Sequence, residues 1–251
     1  MNPLMGFFFD FTVFLNSFNS AILWLVMLIF CFSAILFFLK VFGYIGIYIY
    51  STVAIIAGNI QVLKTVDFFY SPQPVALGTI LFASTFLCTD ILSEHFGKEK
   101  AQKNVLIGFL GFLFMTLLML FTLGFKPSSL DWSQDSLKTI FTPMTRFFLA
   151  SMIAYMISQY FDVWVYHLIK KMTFKKMLWL RNNLSTIFSS LIDNTVFSLL
   201  AWIILNPEPQ TIYNVIMVYI FGTYLLRIFI AIIDTPFLYL SKFCLPKKAN
   251  V

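Results

Sequence analysis

The chain has 251 residues, 60% of them hydrophobic and 11% charged, with a mean hydropathy of +0.86. Soluble domains carry about 25% charged residues, so this composition excludes a water-soluble domain and indicates an integral membrane protein. The formal net charge of +6 calls for no nucleic acid, because most of the lysines fall in short loops between apolar runs, where membrane orientation accounts for them.

A membrane crossing takes about 20 residues. Residues 1–18 are Phe-rich, with Asp10 as their one charge, and are expected in the interface. No basic region precedes the first apolar run, so no cleaved signal peptide is expected. The first crossing is predicted over about 20–39. Lys40 and Gly43 interrupt an apolar run too long for one span, and a second crossing follows over about 43–63, with Asn59 and Gln61 near its far end. Ser71-Pro72-Gln73-Pro74 turns the chain into a third, about 75–94.

Lys98, Lys100 and Lys103 lead into a fourth crossing, about 104–125, and a polar loop is expected over 126–142. Pro143, suited to a first helical turn, opens a fifth over about 143–169. The most basic loop, with Lys170, Lys171, Lys175, Lys176 and Arg181, precedes a sixth over about 184–205. Asn206-Pro207-Glu208-Pro209 turns into a seventh over about 212–240, and the tail carries Lys242, Lys247 and Lys248.

The fold class expected is therefore an all-α, polytopic membrane helix bundle of about seven transmembrane helices. Residues 1–42 form an N-terminal segment with an additional helix, 43–242 a six-helix core and 243–251 a basic cytoplasmic tail. Seven crossings place twelve Lys/Arg of the loops and tail on one side and three, Lys64, Lys126 and Lys138, on the other. The positive-inside rule then puts the N-terminus out and the C-terminus in. The last six crossings could form two inverted three-helix repeats, although no internal sequence match supports them.

Ionisable groups inside a bilayer cost several kcal/mol (roughly 2.5–3.5 on insertion scales), so they face a cavity or a partner. Asp90 and Glu94, four residues apart, share a helix face in the stretch Thr85–Ala101. Gln159 and Asp162 share a face of the fifth crossing. Asp193 and Arg227 fall near the middle of the sixth and seventh, and Asp234 follows Arg227 by seven residues. Four carboxyls, Asp90, Asp162, Asp193 and Asp234, thus face one intramembrane cation, Arg227. They cannot all stay ionised without further partners: some are protonated, or water and helix ends solvate them, or the site awaits a cationic or donor-rich ligand. The candidate substrate-binding residues are Asp90, Glu94, Gln159, Asp162, Asp193 and Arg227, with Asn59 and Gln61 in addition. An Asp193–Arg227 pair that only joins two helices is the alternative for those two.

The three cysteines, Cys31, Cys88 and Cys244, are far apart and indicate neither a disulfide framework nor a metal site. No GxxxxGK[ST], HExxH or GxSxG motif occurs, so nucleotide hydrolysis and intramembrane hydrolysis lack their usual machinery. The chain is read as a non-enzyme with no cofactor.

Several stretches together resemble the vitamin uptake transporter family, also called queuosine precursor transporters. They are NIQVLKTVDFF from Asn59, ILFASTFLCTDILSEHFGKEKA from Ile80, RFFLASMIAYMISQYFDVWVYHLIKK from Arg146, LWLRNNLSTIFSSLID from Leu178 and IDTPFLYL from Ile233. The resemblance implies import of queuine, preQ0 or preQ1, which are 7-deazaguanines, across a bacterial inner membrane for tRNA modification, by secondary transport. It implies a small-molecule substrate and the lipid bilayer as partners, and no nucleic acid. A homodimer stays open. So does an alternative class, the substrate-binding membrane subunit of a vitamin uptake system driven by separate ATPase subunits, and a further one, a structural membrane protein whose buried charges merely pair.

Overall fold

A backbone in lipid has no water to satisfy its N–H and C=O groups, so a chain this apolar must close its hydrogen bonds within helices. The computed structural model describes residues 3–68, 75–142 and 144–246, and it is almost entirely helical. Helix α1 spans Pro3–Asn16, α2 Ser20–Phe42, α3 Tyr44–Gln61, α4 Thr79–His95, α5 Lys98–Gly124, α6 Gln134–Phe141, α7 Met144–Met172 and α8 Leu178–Leu199. α8 runs on into a π-helical turn over Leu200–Ile204. The last crossing starts with α9, Ile212–Asn214, passes through π-helical turns over Val215–Phe221, and continues as α10, Gly222–Ser241. Between α3 and α4 a two-residue antiparallel pair joins β1, Thr65–Val66, to β2, Val75–Ala76. The proline turn at residues 71–74, Pro143, and Lys247 and Lys248 lie outside the described residues.

Among the described residues, six helices are long and apolar enough to cross a membrane: Ser20–Phe42, Tyr44–Gln61, Lys98–Gly124, Phe147–Met172, Leu178–Ile204 and Ile212–Ser241. The protein is a multi-pass membrane protein. The remaining expected crossing, α4, has 17 residues, 13 of them buried. It packs against α2, α3, α5, α7, α8 and α10. A helix wrapped on all sides has no lipid-facing stripe to supply, so it can hold polar residues that a peripheral span could not.

Three expectations need correction. Residues 178–183, read as the end of a basic loop that includes Arg181, are the first turns of α8, and Arg181 is 2% exposed. Polar residues there face helix partners rather than water. The fourth crossing starts earlier than 104, because Lys98, Lys100 and Lys103 extend from the solvated first turns of α5. The stretch 126–142 is not all loop: Asp131 Oδ1 accepts from the backbone N–H groups of Ser133 (2.8 Å) and Gln134 (3.1 Å), and α6 follows.

Contacts fix which ends lie together. Rising residue numbers on α4 meet rising numbers on α7, from Thr85 with Gln159 to Glu94 with Lys170, so these helices run parallel. α8 runs antiparallel to α7, pairing Asp162 with Ser189 and Ser158 with Asp193. α10 runs antiparallel to α8, pairing Asn194 with Thr223 and Asn182 with Asp234. His95 at the end of α4 reaches Ser241 at the end of α10 (2.7 Å), and Tyr48 on α3 donates to the Lys100 carbonyl (3.1 Å). Gly43, left-handed at φ 62°, makes the α2–α3 turn beside Pro246. The α2–α3, α4–α5 and α7–α8 turns and the end of α10, which carry the lysines of the predicted basic side, therefore share one end of the bundle.

Candidate functional site

The polar residues of α4, α7, α8 and α10 converge because each helix repeats them at one-turn spacing. On α7 they are Ser158, Asp162 and Tyr166. On α8 they are Arg181, Ser185, Ser189 and Asp193. Thr85 and Thr89 face them from α4, and Asp234 from α10.

At the centre, Asp90, Asp162 and Asp234 are each 0% exposed. Asp162 Oδ1 accepts from Ser189 Oγ (3.1 Å), and its Oδ2 lies 3.3 Å from Thr89 Oγ1. Gln159 Nε2 donates to Thr85 Oγ1 at 2.7 Å, while Gln159 Oε1 lies 3.2 Å from Thr89 Oγ1. Thr89 and Ser189 each have one proton, and both also approach carbonyls of their own helices, so they cannot satisfy every acceptor they face. Asp234 Oδ1 accepts from Asn182 Nδ2 at 2.8 Å. Both oxygens of Asp90, Asp234 Oδ2, Asn182 Oδ1, Thr186 Oγ1 and Ser93 Oγ are buried without a hydrogen-bond partner. The Asp162 carboxyl lies against that of Asp90. Two ionised carboxylates offer each other only acceptors, so this contact is a hydrogen bond when one of the two keeps its proton and satisfies neither when both are charged.

The cations are engaged elsewhere. Toward the basic end, Glu94 accepts from Arg181 (2.7 Å), Lys170 (2.9 Å) and the Tyr166 hydroxyl (3.0 Å). Arg181 also donates to Tyr166 and to the Lys176 carbonyl, and Lys170 to the carbonyls of Ser93 and Glu94. This network joins α4, α7 and α8 immediately beyond Asp90. Toward the other end, Arg227 pairs with Asp193 Oδ2 (2.5 Å), and Ser158 donates to Asp193 Oδ1 (2.9 Å). Beyond that pair, Trp202 stacks on Tyr219 with centroids 4.5 Å apart, and Phe147 meets Trp202 edge-on. Among the described residues, none of Asp90, Asp162 and Asp234 has a salt bridge. The result is a buried polar cluster, rich in acceptors and poor in donors, with the Glu94 network on one side and the Asp193–Arg227 pair on the other.

The structure brings together Asp90, Gln159 and Asp162, and places Glu94 on one side of them and the Asp193–Arg227 pair on the other. It does not bring Asn59 and Gln61 to them. Asn59 Nδ2 donates to the Ile55 carbonyl of its own helix (2.8 Å), and Gln61 ends α3. Three participants were not among the candidates: Asp234, Asn182 and Arg181. Asp234 was visible as a carboxyl inside an apolar run. Arg181 and Asn182 sit in a basic stretch that reads as loop, and no sequence signal separates them from its lysines.

Comparison with known proteins fits this arrangement. The family described as "Putative vitamin uptake transporter" matches residues 76–241. The chain is also similar to the "Probable queuosine precursor transporter" of Bacillus subtilis (strain 168), with 35% identity over 230 residues, 91% of this chain and 97% of that protein. No solved structure matches the chain. The family match spans more than half of the chain and includes all four helices of the buried polar cluster, so this protein belongs to the vitamin uptake transporter family.

Proposed function

We propose that this protein imports a 7-deazaguanine, a queuosine precursor such as queuine, preQ0 or preQ1, across a bacterial inner membrane, with its N-terminus outside and C-terminus inside. One observation carries the chemistry: Asp90 is fully buried, with no amide, hydroxyl or cation donating to either carboxyl oxygen and only the Asp162 carboxyl beside it. A deazaguanine supplies what is missing. Its guanine-like edge presents adjacent N–H donors, which one carboxylate accepts in bidentate fashion. Its ring carbonyl needs a donor, and the Gln159 amide, with one hydrogen left after Thr85, provides it. The aminomethyl group of preQ1 and queuine offers an ammonium to a second carboxyl, Asp162 or Asp234.

The name of the Bacillus relative supports this substrate class, and the orientation follows from the lysines at one end of the bundle. In this reading Glu94, Lys170 and Arg181 close the cluster toward the cytoplasm, and Asp193 with Arg227 closes it toward the outside. Each closure opens in turn as the helices rock. The test is uptake of labelled queuine, preQ0 and preQ1 by cells that lack both their own carrier and synthesis of these bases. Expression of this protein restores uptake of at least one of them. No uptake of any of the three, with the protein present in the membrane, overturns the assignment.

A further inference from the structure

The α7–α8 turn forms an open groove outside the buried polar cluster. It has a volume of about 510 Å³ and is lined by His167, Lys170, Lys171, Phe174 and Lys175. Phe174 and Lys175 are successive left-handed residues, at φ 49° and 64°, a conformation that side chains other than glycine seldom adopt. It holds Phe174 outward, 87% exposed, beside Lys175. His167 Nε2 is buried in the wall of the groove without a hydrogen-bond partner. Lys98, Lys170 and Lys171 act on His167, with Glu94 as the opposing charge. Glu94 is already held by Lys170 and Arg181, so the groove keeps a positive excess. The end of α7 contributes about half a negative charge, which Lys171 and Lys175 outweigh.

The same groove is continuous with the lipid face. Trp164, Leu168 and Met172 are exposed and four residues apart, so they form one stripe along α7 that ends at Lys171 and Lys175. A stripe of apolar side chains leading into a basic pocket matches one molecule, with acyl chains on one side and an anionic head on the other. We propose that this groove binds the headgroup phosphate of an anionic phospholipid. The phosphate oxygens accept from Lys171, Lys175 and the His167 Nε2–H tautomer, and the acyl chains lie along Trp164, Leu168 and Met172. Soluble phosphate would share the polar contacts but not the stripe. The site touches the Glu94 network through Lys170, so a bound lipid steadies the turn from which that network is built. This inference does not depend on the identity of the transported substrate.

The test is native mass spectrometry of the full chain released from vesicles of phosphatidylglycerol and phosphatidylcholine in equal amounts. The wild-type protein retains phosphatidylglycerol in preference to phosphatidylcholine. K171Q/K175Q, altered only at exposed side chains, loses that preference by about five-fold per lysine, the factor expected for a charge next to an anionic surface. The control K126Q/K138Q, which removes two lysines predicted at the opposite end, keeps it. Equal retention of the two lipids by the wild type overturns the proposal, as does an equal loss in the control. Displacement of phosphatidylglycerol by millimolar inorganic phosphate also overturns it, because the groove would then be a soluble-anion site.

Discussion

At the residue scale, the buried polar cluster is defined by a mismatch between acceptors and donors. Arg181 and Lys170 are committed to Glu94, and Arg227 to Asp193. Asp90, Asp162 and Asp234 are left with hydroxyls, amides and one another. We predict that preQ1 and queuine, which carry an amine, bind more tightly than preQ0, which does not; competition for uptake of one labelled base measures the order, and preference for preQ0 contradicts it. Arg181 is the most deeply buried of the paired cations, at 2% exposed. Arg181→Gln strips Glu94 of its shortest ionic contact and should destabilise the protein by about 3–5 kcal/mol. Thermal unfolding in detergent reads this, and the double variant with Glu94→Gln should recover part of the loss. No recovery would mean that Arg181 acts through its other partners, Tyr166 and the Lys176 carbonyl. Asp193 has a donor on each oxygen, so a variant carrying both Asp193→Asn and Arg227→Gln is expected to keep more transport than either single change. Uptake alongside thermal stability checks that expectation.

At the element scale, the polar seam depends on helices that approach closely. α5 lies against α3 and α7 through Gly108, where an added Cβ would stand 2.4 Å from Ile55 Cδ1 and 2.9 Å from the Tyr155 hydroxyl. Gly108→Val should therefore overpack this contact and cost about 1–3 kcal/mol. Gly124, with open space around it, is the control: Gly124→Val should shift the melting temperature much less. Equal shifts would remove the packing argument. The helical bundle was legible because apolar runs are broken by polar turns; among the described residues six of the seven expected crossings are long and apolar enough to span, and α4 is not. The start of α8 was not legible. Arg181, Asn182 and Asn183 have the composition of a loop, and only their partners Glu94, Asp234 and Thr235 make them helical core. α6 was missed because it is only eight residues long and buries none of its side chains. The site was half legible. Buried carboxyls stand out in an apolar sequence, but which carboxyl keeps a cation and which does not is set by tertiary pairing that spacing does not encode.

At the scale of the whole molecule, the basic turns gather at one end and α4 runs through the middle as a wholly enclosed helix. Cysteine tags at Lys98 and Lys176, in a background lacking Cys244, should be labelled from the inside, and tags at Asp131 and Glu208 from the outside. Labelling of Lys98 and Lys176 from opposite sides would contradict the parallel course of α4 and α7. The burial of Asp90, Asp162 and Asp234 also sets what transport requires: a base bound among them can enter or leave only when the helices around them move apart. The measurement that bears most directly on this account is ligand binding by the purified protein and by Asp90→Asn, read as the shift in melting temperature produced by preQ1 and by queuine. Asn is the same size as Asp, so the variant should fold with a melting temperature close to that of the wild type, yet its amide cannot accept two hydrogen bonds from adjacent donors as a carboxylate does. The account predicts a ligand-induced shift in the wild type for at least one of the two bases and none in Asp90→Asn. An equal shift in both proteins would contradict it.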